Sequence, residues 1–402
     1  MLTSLILSAA TALAAQPAAP SAATDGTSWT LHASKVYTST GKVHENALVV
    51  VRDGKIRAIS PGVEAPRDAL RADVITAGMV DASARVNAGS LSVEQSSEVT
   101  PGVDAASSVD LFDSRWKRLA KSGVTSAFVG PLNQNVVGGH GVIVKTAGGM
   151  SLEERQVDGA KLLCGAIGSQ PSQRNSPAFG RPRSFYNRRP TTRMGVEWEW
   201  RKALYDAAQA KDPSAEQSML RDVLAGKTGL FVQAWATQDI RTAVFLREEM
   251  EREGFGTMRL VIDAGAEAWR EPNMLVRSGT AVVLPPVPSQ GRTTDQAFMA
   301  LDCAKVLLDA GVSVALSAHD ASDASERLDI QAGYAMRGGL NREQALRAVT
   351  LTPARILGID GRVGTVEAGK DADLVLWNGE PFEATTRPVG VLVGGHLVLD
   401  PR

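Results

Sequence analysis

Two histidine-bearing stretches hold the side chains best suited to chemistry. His140 stands in Gly138-Gly139-His140-Gly141, and His319-Asp320 follows the apolar run 312–317. Together with Asp263 or Asp320, the two imidazoles offer a mononuclear metal site, because a catalytic zinc takes three protein ligands and keeps a fourth position open. The commoner fate of two such separated histidines is a surface or hydrogen-bonded core position. Asp320 by itself offers metal-free acid–base work, although an aspartate there more often caps the helix that follows. Nucleophilic catalysis has little support: there is no Gly-x-Ser-x-Gly, and Ser83 has no histidine nearby in sequence. A third constellation is cationic. Arg174, Arg181, Arg183, Arg188, Arg189 and Arg193 crowd a Pro- and Ser-rich stretch beside Phe179, Phe185 and Tyr186. Arginine forks match carboxylate and phosphate geometry, so this stretch, and Arg188, Arg189 and Arg193 in particular, is a candidate anion site. The plainer alternative is a long loop whose arginines pair with surface acids.

Composition narrows the partners. The 402 residues suffice for one large barrel with a small companion domain. A hydrophobic fraction of 44%, a charged fraction of 22% and a net charge of −1 are those of an ordinary globular chain. They give no reason to expect nucleic acid or an anionic membrane. No later apolar run approaches the ~20 residues of a transmembrane helix. Residues 2–14 form a short apolar run ending in Ala12-Leu13-Ala14, the small-x-small pattern of a signal peptidase site, though no Lys or Arg precedes it. An exported protein, periplasmic or extracellular, with a signal peptide and flexible leader over 1–26 is therefore expected, the alternative being a disordered cytosolic leader. Cys164 and Cys303, the two cysteines, are expected to be buried free thiols rather than a disulfide.

These candidates need a scaffold, and the patterning supplies one. Residues 29–60 alternate as strands do, with Asp53-Gly54 as a hairpin turn. Strand-like segments return at 372–377, 389–393 and 397–399. Between the two ends, strand-like runs at 125–130, 141–146, 228–234, 258–264, 280–284 and 312–317 alternate with helical patterns, clearest at 239–253 and 293–310. Strand–helix alternation at this length implies a parallel sheet, and a closed (β/α)₈ barrel is favoured over an open sheet.

Several motifs resemble one family and occur in its order. Val74, Ile75, Gly78, Met79, Val80 and Asp81 match the frame of the first barrel strand of the amidohydrolase superfamily. Residues 339–358 and 363–375, the latter containing Gly364, Gly369, Lys370, Asp371, Ala372 and Asp373, resemble the closing signature of its imidazolonepropionase-like branch. Residues 135–139 and 190–195 resemble further segments of that branch. The resemblance implies an α/β fold: a (β/α)₈ TIM barrel over 81–356, with a small β-sandwich formed by 27–80 and 357–402. It also implies hydrolysis of non-peptide carbon–nitrogen bonds, such as those of cyclic amides, by a divalent metal, zinc or similar. The Gly364–Val375 stretch itself is expected to be turn and packing structure.

The family's ligand positions, carried over one by one, are empty of histidine. After the first strand they hold Ser83 and Arg85, after the fifth Gln233, and after the sixth Ala264. A hydroxyl is a poor zinc ligand and a guanidinium opposes a cation. Asp320 falls where the family's catalytic aspartate would be. Lys145, a candidate for a bridging carbamate, is expected instead to be ion-paired. The expected protein is thus a degenerate enzyme without its ancestral metal and with no other cofactor. Its pocket, lined by Ser83, Arg85, Gln233 and Ala264, binds a small anionic molecule. The alternative is an active hydrolase using a relocated metal on His140, His319 and Asp263, or acid–base chemistry around Asp320.

Overall fold

The computed structural model describes residues 28–86, 93–94, 96–173, 189–287, 297–319 and 327–402. The expected leader, Asp320, Arg188 and most of the arginine-rich stretch lie outside them.

Both ends of the chain enter one seven-stranded sheet. The N-terminal part gives β1 (Trp29–Tyr37), β2 (Val43–Arg52), β3 (Lys55–Pro61) and β4 (Leu70–Ala77). Its order continues into three strands from the far end of the chain, Leu374–Trp377, Pro388–Val393 and His396–Leu399, the first of which pairs antiparallel with β4. This is a single hydrogen-bonded sheet where a two-sheet sandwich was expected. Asp53 and Gly54 both have positive φ, 52° and 70°, as a two-residue hairpin between right-twisted strands requires. Gly54 also meets Gly395 backbone to backbone: a Cβ on Gly395 would lie 2.7 Å from the Gly54 Cα. The two chain ends can approach so closely only because neither residue has a side chain.

The Gly-Lys-Asp-Ala-Asp signature ties this sheet to the rest. Lys145 donates to Asp373 at 2.5 Å and lies 3.2 Å from Asp371, all three being buried. Asp371 also takes Lys55 at 2.5 Å and Arg362 at 3.0 Å. Lys145 is thus an ion-paired clamp between the sheet and the central strands.

The central strands are short and mostly parallel: β5 (Met79–Asp81), β6 (Val124–Val129), β7 (Val137–His140), β8 (Val142–Lys145), β9 (Leu162–Ala166), β10 (Gly229–Gln233), β11 (Leu260–Asp263), β12 (Ala281–Leu284) and β13 (Val314–Leu316). Strands β9 to β13 are successive parallel neighbours in a six-stranded sheet, and β5 and β6 are parallel neighbours in a three-stranded one. Among the described residues this makes seven parallel strands, not eight, and no single ladder encircles them. Between β6 and β9 the chain inserts β7 and β8, which run antiparallel and pair with β9 and β6 respectively. Gly138, Gly139 and Gly141 let that segment pass; a Cβ on Gly139 would meet the Val103 carbonyl oxygen at 2.3 Å.

At the other seam a carboxylate replaces ladder bonds. The fully buried Asp81 accepts from Ser317 Oγ at 2.6 Å, from the Ala318 amide at 3.0 Å and from the Ser83 amide at 3.0 Å, while the Arg85 amide donates to the His319 carbonyl at 2.8 Å. Burial raises the Asp81 pKa, opposed by these donors. The strand interior is apolar, with Val80, Phe128, Cys164, Phe231, Val261, Val283 and Ala315 in one cluster. Helices pack outside, including Thr237–Arg252 and Cys303–Ala310. The latter is shorter than the expected 293–310, of which 293–296 lie outside the described residues; 297–298 and 301–302 form turns instead, and Asp302 occupies its N-cap position.

Both cysteines are buried free thiols. Burial raises the Cys164 thiol and pushes Cys303 up to about 12. Neither thiol is therefore expected to react with a chromogenic disulfide reagent in the native protein at neutral pH, and both should react in denaturant. Native labelling of either would contradict this packing.

Candidate functional site

Side-chain alternation decides what faces the mouth of the strands. Phe231 and Val261 are register partners inside the apolar interior. Two residues on, their successors Gln233 and Asp263 are also partners and share that inward face. Asp263, rather than Ala264, is therefore the inward residue at the end of β11. Ala264 follows with φ 57° and packs with Trp235, Ala266 and Met299. His319, with φ 50°, is a second left-handed non-glycine residue at the same end. Each such residue stores about 1–2 kcal/mol of backbone strain, which persists where surrounding structure enforces it.

Arg85, Gln233, Trp235, Asp263 and His319 all lie at or just beyond the C-terminal ends of β5, β10, β11 and β13. Each carries a buried polar atom with no hydrogen-bond partner among the described residues: Arg85 Nη2, Gln233 Oε1, Trp235 Nε1, Asp263 Oδ1 and His319 Nε2. An unmet buried polar group costs about 1–3 kcal/mol, so five at one face mark a place built to receive something polar. His319 Nε2 and Asp263 Oδ1 are 3.7 Å apart, too long for a hydrogen bond but close enough for an acid–base pair. Trp235 meets His319 edge to face, with ring centroids 6.1 Å apart. Below them a cavity of about 20 Å³ is lined by Ser83, Arg85, Phe128, Asn133, Cys164 and Asp263. It admits a single water-sized polar group.

Burial lowers the His319 pKa, and the Arg85 cation lowers it further, against the pull of Asp263. With the folded value below the unfolded value of about 6.5, the unfolded chain takes up the proton first as pH falls. Stability is then full above that pH and declines as pH drops through it. His319→Asn is expected to flatten part of this decline in denaturation midpoints measured from pH 8 to 5. An unchanged slope would contradict a buried neutral imidazole.

The other candidates lie elsewhere. His140 pairs with Leu163 at the opposite, N-terminal end of β9, so it does not meet His319 or Asp263. Burial lowers its pKa as well. Arg193 opens a helix and pairs with Asp239 at 3.5 Å, and Arg189 is exposed. Trp235 and Ser317 escaped attention in the sequence, because neither belongs to a motif and only the strand ends bring them to this face.

The donor set does not fit a divalent cation. Serine, arginine and glutamine side chains stand at three of the expected positions, and Asp263, the inward residue at the fourth, shares its cavity with a permanent cation, Arg85, that opposes a divalent one. Among the described residues no three His, Cys, Asp or Glu side chains are grouped as metal ligands.

Comparison with known proteins places this geometry among relatives. Residues 272–398 match the model of the amidohydrolase family. The crystal structure of an amidohydrolase from Thermotoga maritima MSB8 is 26% identical, with a TM-score of 0.79 over 92% of this chain and 99% of that one. Amidohydrolase tasK of Hapsidospora irregularis is 24% identical over 395 residues, 89% of this chain; the chain spans 39% of that protein's length. Imidazolonepropionase of Rhizobium meliloti (strain 1021) is 56% identical over a segment of 39 residues, 10% of this chain and 9% of that protein. These likenesses give the chain a TIM-barrel-type α/β fold.

Proposed function

We propose that this chain, similar to amidohydrolases over its closing residues and in its fold, is a degenerate amidohydrolase that binds a small anionic molecule at its strand mouth. Five unpartnered buried atoms at the C-terminal strand ends, with Arg85, Asp263 and His319 close to one another, carry the proposal. Arg85 and Trp235 can only donate, whereas Gln233 Oε1 and Asp263 can only accept when the carboxyl is ionised. The complementary ligand is therefore a small carboxylate that also bears an N–H or O–H group. One carboxylate oxygen enters the narrow cavity toward Arg85, the donor group faces Asp263, and the ligand body lies above the strand ends. The parallel strands are taken as the wall of a (β/α)₈-type barrel, with the seven-stranded sheet as its companion domain.

No hydrolytic step follows from these residues. Arg85 supplies a fixed positive charge, Gln233 and Asp263 orient the ligand, and neutral His319 completes the polar rim. Calorimetric screening of hydroxy-, amino- and N-acylamino carboxylates is expected to find saturable binding without turnover. A second possibility rests on the His319–Asp263 pair, which could act as an acid–base couple with Asp320. Turnover of cyclic amides that collapses in Asp320→Asn would establish that alternative instead.

A further inference from the structure

A buried arginine lies outside the strand mouth, beside the end of β8. Arg155 ends the short helix Leu152–Arg155 and is only 6% exposed. Its Nε donates to the Lys145 carbonyl at 2.8 Å, and its guanidinium lies 5.2 Å from the centre of the Trp116 ring. Its Nη2 has no partner, and among the described residues no carboxylate pairs with it. Nearby acids are committed elsewhere. Asp113 grips Arg115 through both Nε and Nη2, and Glu154 accepts from the Met150 and Ser151 amides. A cation–π contact offsets only part of the cost of burying a guanidinium, so this charge is set to receive an anion.

The space beside it has the size for one. Arg155 and Trp116 line a cavity of about 440 Å³ between the helix Ser114–Lys121, the end of β8 and Val398 of the chain-end sheet. Its volume lies in the range of small-ligand sites. Two of its lining residues, Phe112 and Met150, are 77% and 74% exposed, an unusual degree for large apolar side chains beside a cavity. Lys117 adds positive charge to the lining.

We propose that this cavity binds a small carboxylate with an apolar body, such as an aryl or alkyl carboxylate. Its oxygens take the free edge of Arg155, and its body is covered by Phe112, Met150 and Trp116. The site is independent of the strand mouth and asks for different chemistry: a charge buried deep and an apolar tail, rather than neighbouring donors and acceptors.

Calorimetry on the full-length chain with phenylacetate, and with phenylacetamide as the uncharged control, tests this. Saturable binding of phenylacetate is expected, weakened at least about tenfold by Arg155→Met, as loss of a charge-assisted hydrogen bond implies. Phe112→Glu, which sets a like charge at the rim, is expected to weaken it similarly. Because Phe112 is exposed, that variant keeps the fold even where Arg155→Met does not. Absence of saturable heat, equal binding of phenylacetamide, or phenylacetate binding that survives both substitutions would overturn the site.

Discussion

Arg85→Met is expected to weaken saturable binding of hydroxy- and amino-carboxylates at the strand mouth by about a hundredfold or more, and to raise the melting temperature at the same time. The two effects share one cause. In the free protein the Arg85 Nη2 is buried with no partner among the described residues, and its charge lies near the Asp263 carboxylate and the His319 imidazole without a hydrogen bond to either side chain. Methionine fills similar volume without needing a partner, so the free protein gains about 1–2 kcal/mol, a few degrees in a domain of this size. The ligand, however, loses a charge-assisted pair worth about 1.5–3 kcal/mol, and its own carboxylate is left facing Asp263. Together these should weaken binding by about a hundredfold or more. Thermal denaturation and calorimetry on the same preparations check both halves. A destabilised variant that still binds would show that Arg85 is a structural residue.

The second large effect lies in the clamp between the sheet and the central strands. Lys145→Met removes the cation that meets both Asp373 and Asp371. Asp371 keeps Lys55 and Arg362, but Asp373 is left buried with only hydrogen bonds to the Gly394 amide and Ser126. Breaking one side of a buried ion pair typically costs about 3–5 kcal/mol. Lys145→Met combined with Asp373→Asn should recover part of this loss, because the amide oxygen can still accept from Gly394. For Asp371, burial acts to raise the pKa but is outweighed by Lys145, Lys55 and Arg362, so the net shift is downward. The stability it contributes is present above its unfolded value of about 3.9 and is lost as pH falls through the lower folded value. Urea midpoints give the result; a loss below about 1 kcal/mol for Lys145→Met would mean the pair contributes little.

Much of the scaffold was legible because it depends on local rules. Asp53-Gly54 announced its hairpin through the need for two positive φ angles, and the alternating apolar runs gave the strands to within one or two residues. The closing signature marked turns and packing, and its Asp371 and Asp373 provide the packing through the clamp with Lys145. The site was legible only in part. Sequence places Gln233 and Arg85 at strand ends, but Asp263 and Ala264 are adjacent, and only the register with β10 tells which one faces inward. His140 looked like a partner for His319 because sequence does not say that β7 runs against its neighbour and delivers it to the opposite end. The helix expected over 293–310 starts only at Cys303, since apolar periodicity does not fix where a helix begins. The buried Trp235 Nε1 and Arg155 Nη2 left no trace in the sequence, for an unmet hydrogen bond is a property of packing.

Metal content measured by elemental mass spectrometry, on protein purified without chelators and then challenged with zinc and manganese, tests the central claim most directly. The account predicts less than about a tenth of an equivalent, and no rise in melting temperature when metal is added. About one tightly held equivalent, with metal-dependent stabilisation, would contradict it: the strand mouth would then be a metal centre built from ligands other than those its relatives use.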